Sequence, residues 1–67
     1  MNKFSVNQIV RGIEFGYWVI LGFRMIDGIE YAQLKEVNPK NFAETAPGEI
    51  ALPLTCIQTL DEEINDE

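Results

Sequence analysis

The chain has no histidine, one cysteine (Cys56) and one serine (Ser5) among its 67 residues. Each shortage removes a class of chemistry. Without imidazole, the commonest general base near neutral pH is missing. Ser5 then has no triad to join, and Cys56 has no basic neighbour in the sequence to activate it. One cysteine makes no disulfide, and one soft ligand holds no structural zinc. No catalytic, cofactor-binding or metal-ligating residues are therefore expected. Cys56 reads as a small buried apolar residue.

Basic residues are also scarce. There are five, Lys3, Arg11, Arg24, Lys35 and Lys40, against eleven acids, for a formal charge of −6. Five of the acids fall within residues 61–67, so residues 1–60 stand at −1. Five scattered bases make no stripe able to displace counterions from phosphates, so nucleic-acid binding is disfavoured. Six acids interleaved with bases make no phosphate mimic either. Long apolar runs are absent too. The longest, residues 17–23, is far short of the roughly 20 residues that cross a bilayer. No signal-peptide pattern is seen. A cytoplasmic location is expected, since a lone thiol suits a reducing compartment.

What is present is a series of short apolar runs divided by glycine and proline. That spacing belongs to a small all-β domain. Asp27-Gly28 is the clearest turn signal, because both residues accept the positive φ of a type I′ turn. It predicts a long central hairpin of residues 17–26 and 29–37. A two-residue turn pairs positions whose numbers sum to 55. Leu21 then faces Leu34, and Phe23 faces Ala32. Val19, Leu21, Phe23 and Leu34 make a core face. Trp18, Ile20, Arg24, Tyr31 and Val37 fall on an outer, mixed face. Gly22 marks a candidate bulge, and a bulge would exchange the faces beyond it.

Around the hairpin, residues 8–12 read as a first strand and residues 13–16 as a loop. Gly12-Ile-Glu-Phe-Gly16 reads as a bend, since no Lys-Ser/Thr follows to make a phosphate cradle. Residues 38–48 read as a long polar loop, with a helical turn near 41–45 and Phe42 as its anchor. Residues 49–53 make a fourth strand with Ile50 and Leu52 inward. Residues 54–56 make a tight turn, and 57–60 a fifth strand. Residues 61–67 read as a disordered acidic tail on a single domain of residues 1–60.

One strand, a long hairpin, then two strands joined by a three-residue turn resembles the SH3-like barrel. In that family a 3₁₀ turn joins the last two strands. The resemblance implies a small five-stranded barrel. It carries no functional residues across, because the family's aromatic-acidic and basic motifs are missing.

The functional expectation is a non-enzymatic protein-interaction module. Aromatics and arginine are the residue types enriched at binding hot spots. The expected contact surface is the outer hairpin face (Trp18, Ile20, Arg24, Tyr31) together with the long loop (Asn41, Phe42, Glu44). The expected partner is a protein, with no membrane, and a homodimer stays open. An alternative reading is a small phage- or plasmid-type inhibitor that occludes a host nucleic-acid enzyme. A nucleic-acid-binding barrel is a second alternative, against the charge count.

Overall fold

The computed structural model describes residues 4–60. The expected acidic tail, residues 61–67, lies outside them. The described residues form β1 (Ile9–Gly12), β2 (Tyr17–Ile26), β3 (Ile29–Val37), β4 (Glu44–Pro53), a 3₁₀ turn η1 (Leu54–Cys56) and β5 (Ile57–Thr59). All pairings are antiparallel, and the sheet runs in the order β4-β3-β2-β1-β5. Among the described residues β4 and β5 do not pair, so the sheet is not a closed barrel. No helix there is long and apolar enough to cross a membrane.

The turn chemistry follows the sequence. Asp27 (φ 52°) and Gly28 (φ 79°) both take the left-handed region that a type I′ turn requires. Pairs from Ile26↔Ile29 to Gly22↔Gln33 then keep the expected register. Gly28→Val should cost more than about 1 kcal/mol, since a β-branched side chain resists positive φ. Urea denaturation of the variant would measure it. A midpoint equal to the parent's would mean that the turn tolerates the branch.

Beyond Gly22 the register slips. Leu21 is the extra residue, and Ile20↔Leu34, Val19↔Lys35, Trp18↔Glu36 and Tyr17↔Val37 follow. Because side chains alternate with period 2, one inserted residue exchanges the faces of everything before it. The expected Leu21–Leu34, Trp18–Val37 and Ile20–Lys35 pairs are therefore corrected. Trp18 (6% exposed) and Ile20 (0%) point into the core, while Val19 and Leu21 are only half-buried. Phe23, after the bulge, packs against the core as expected.

The core cluster is Phe4, Val10, Trp18, Ile20, Ala32, Leu34 and Ile57, and Val37, expected on the outer face, is buried as well. Phe4 comes from the segment before β1, ahead of the expected first strand. A turn carries it there. Asn7 adopts φ 75°, its N–H donates to the Ile20 carbonyl at 2.7 Å, and the Ile20 N–H donates to the Gln8 carbonyl at 3.0 Å. These bonds fold the N-terminal segment onto β2.

The long loop is shorter than expected. β4 begins at Glu44, opposite Val37, and the connection is residues 38–43. No helical turn forms at 41–45. Asn38 and Asn41 build the connection instead, their side-chain oxygens accepting from the Lys40 N–H at 2.7 Å and the Ala43 N–H at 3.0 Å. Such local bonds favour turns over helix. The β3–β4 register is irregular between Lys35 and Val37.

Candidate functional site

The seven expected contact residues do not form one surface. Trp18 and Ile20 belong to the core. Arg24 and Tyr31 are cross-strand partners near the turn end of the hairpin. Phe42 lies at the opposite end, with its ring centroid 6.3 Å from that of Tyr17. The Asn41 side chain is engaged within its own loop. Glu44 pairs with the Lys35 ammonium at 3.4 Å.

The structure draws attention to the β1–β2 connection instead. β1 ends at Gly12 and β2 begins at Tyr17. The Gly12 N–H donates to the Gly16 carbonyl at 2.9 Å, closing a tight loop, and the Ile13 N–H donates to the Cys56 carbonyl of η1 at 2.9 Å. The loop is thus tied to the 3₁₀ turn as well as to its own strands. Beneath it lies the Trp18 indole. Its Nε1–H donates to the Phe15 carbonyl at 3.3 Å, and the Phe15 and Trp18 rings meet edge to face at 6.1 Å.

Two glycines make this close approach possible. A Cβ on Gly12 would overlap the Phe15 carbonyl oxygen. Gly16 has φ +87°, and a Cβ there would lie 2.8 Å from Trp18 Nε1. Residues 12–16 therefore clamp an indole edge, which is more than the simple bend expected from the sequence. The clamp has a consequence for display. Phe15 is 68% exposed and Ile13 52% exposed on a loop held by three hydrogen bonds.

Beside this loop runs a groove of about 400 Å³. One wall is Gly12 to Phe15. The edge of Trp18 joins it. The other wall is Ile50 and Leu52 of β4, with Thr55 and Cys56 of η1. Ile50, expected inward, is 40% exposed, while Leu52 packs against the core. Cys56, expected buried, is half-buried and borders the groove.

The lining is mainly apolar. Its polar side chains besides the indole are those of Glu14, Thr55 and Cys56. They bring one carboxylate, one hydroxyl and one thiol to the groove. Among the described residues no group of three acidic, histidine or cysteine side chains is placed to hold a metal. The groove thus combines an aromatic side chain, an apolar trough and a few polar groups. Comparison with family models, curated proteins and solved structures found no match.

The groove was hard to see in the sequence because its walls are distant along the chain. The one available signal was the Gly-x-x-x-Gly spacing of Gly12 and Gly16 ahead of Trp18. That spacing points to a clamp only once Trp18 is known to face inward.

Proposed function

We propose that this chain is a non-enzymatic protein-interaction module, and that its contact surface is the groove beside the β1–β2 loop. The observation that carries the reading is Phe15, a large aromatic side chain exposed on a loop locked to η1 and to the core indole. Anchors fixed before binding lose little conformational entropy when a partner covers them. Ile13 and Ile50 extend the apolar patch on either side. An exposed patch of this kind marks an interaction site more often than an ordinary surface.

We further propose an SH3-like architecture for the module. The strand order β4-β3-β2-β1-β5 and the 3₁₀ turn between β4 and β5 support it. A cytoplasmic setting goes with this reading, given the free thiol of Cys56. The partner is a protein rather than a nucleic acid, because the body carries five bases against six acids.

Phe15→Ala is the direct test. Phe15 is mostly exposed, so the folded NMR spectrum should persist. Capture of the partner should weaken by about 2 kcal/mol, roughly thirty-fold in affinity. An Arg24→Ala control on the hairpin should bind like the parent. If Phe15→Ala folds and binds normally, the groove is not the contact surface.

A further inference from the structure

We propose that β4 pairs with β4 of a second copy of this chain, antiparallel, about a two-fold axis at Ile50. β4 is a ten-residue strand at the end of the sheet, and among the described residues β3 is its only strand neighbour. The outer edge of such a strand offers a row of unpaired N–H and C=O groups, a template for another strand.

The sequence of β4 limits where pairing can occur. Pro47 and Pro53 lack N–H groups and bracket residues 48–52. Ile50 stands midway between them. In a ladder centred on Ile50, Pro47 of each copy falls opposite Pro53 of the other. The two positions that cannot donate then meet at the ends of the ladder, and no proline interrupts the outward-facing N–H and C=O groups between them.

Face and charge select the same register. Ile50 and Leu52 line the groove, whereas Glu49 accepts from Gln33 Nε2 at 3.0 Å. By alternation Glu49 lies on the other face. A ladder centred between two residues would set Glu49 against a groove-face residue. One centred on Glu49 would place like charges directly opposite, which is destabilising. One centred on Ala51 would bring Pro53 opposite Glu49. Centring on Ile50 sets Ile50 against Ile50 and Glu49 against Ala51.

Five paired residues alone bury too little for a stable dimer, which needs about 800 Å² per partner. The apolar groove adds to the ladder. Ile50 is 40% exposed and shares the groove with Phe15 and Ile13, so the two-fold brings the two grooves edge to edge. The β4 edge sets the register of the pairing and the groove face supplies the remaining burial, so both tests below are made on the chain without any other partner.

A disulfide trap tests it in the full chain with Cys56→Ala. The two-fold makes residue 50 face itself, with Cα atoms about 4.5–5.5 Å apart. That separation lies inside the roughly 4.4–6.8 Å window of a disulfide. Under a glutathione redox buffer, Ile50→Cys should convert to covalent dimer at least ten-fold faster than Thr45→Cys, which is exposed on the same strand. Sedimentation equilibrium of the unmodified chain, from low micromolar to several hundred micromolar, should show the mass doubling. Ile50→Lys should abolish that doubling. Equal trapping at residues 45 and 50, or a monomer across the whole range, would overturn the proposal and leave the two prolines as guards of a blunted edge.

Discussion

Trp18→Ala is expected to unfold the domain or leave it close to the midpoint of unfolding. The indole is 6% exposed and belongs to the same cluster as Phe4, Val10, Ile20, Ala32, Leu34 and Ile57. Truncating a buried Trp to Ala costs about 3–5 kcal/mol, from lost transfer free energy and the cavity left behind. At about 0.05–0.15 kcal/mol per residue, a chain of this length has only about 3–10 kcal/mol in total. The variant would also lose the ring contact with Phe15 and the donor to its carbonyl. Loss of amide dispersion in the NMR spectrum is the readout. Ile20→Ala and Leu21→Ala make a sharper pair for the bulge. Ile20 is fully buried and Leu21 only half-buried, so Ile20→Ala should be the more damaging by at least about 1 kcal/mol. The reverse order would place Leu21 inside and remove the bulge.

Gly12→Ala is expected to lower the melting temperature by about 8–16 °C, the equivalent of about 2 kcal/mol in a domain this small. The added Cβ meets the Phe15 carbonyl, a backbone atom that cannot rotate away. Overpacking of this sort costs about 1–3 kcal/mol. Relief requires the loop to open, which would disturb the Gly12–Gly16 and Ile13–Cys56 hydrogen bonds together. The core strands should survive, so the expected variant is folded but less stable. It should also bind its partner more weakly, because Phe15 would no longer be held in place. Differential scanning calorimetry and the capture assay for Phe15→Ala would read both effects. An unchanged melting temperature would show that the loop is not a clamp.

One bulged residue, Leu21, decides which apolar side chains of the hairpin reach the surface. With the unbroken register, Trp18 and Ile20 fall on the outside of the hairpin and form an apolar surface with Tyr31. With Leu21 bulged out, both turn into the core and that surface disappears. The apolar exposure reappears at Phe15, Ile13 and Ile50, which come from a loop and a strand about 35 residues apart in the chain. Their meeting depends on the tertiary approach of the β1–β2 loop to β4 and η1.

Local chemistry alone determined a good deal of this protein. The Asp27-Gly28 turn, the hairpin strands, the three-residue turn at 54–56 and the near-neutral charge of residues 1–60 need only neighbouring residues to specify them. Positive φ, β-branching and the missing N–H of proline act over one or two positions, so they can be read in sequence. Gly22 even marked the neighbourhood of the bulge. Whether the strand bulges there is decided by packing. Burying Trp18 and Ile20 with Phe4, Val10, Ile57, Ala32 and Leu34 removes more apolar surface from water than burying Val19 and Leu21 in their place. Three of those seven residues, Phe4, Val10 and Ile57, come from segments that meet the hairpin only in three dimensions. The face of Trp18, the clamp of Gly12 and Gly16 over it, and the groove beside them all follow from that choice, and only the tertiary structure could make it.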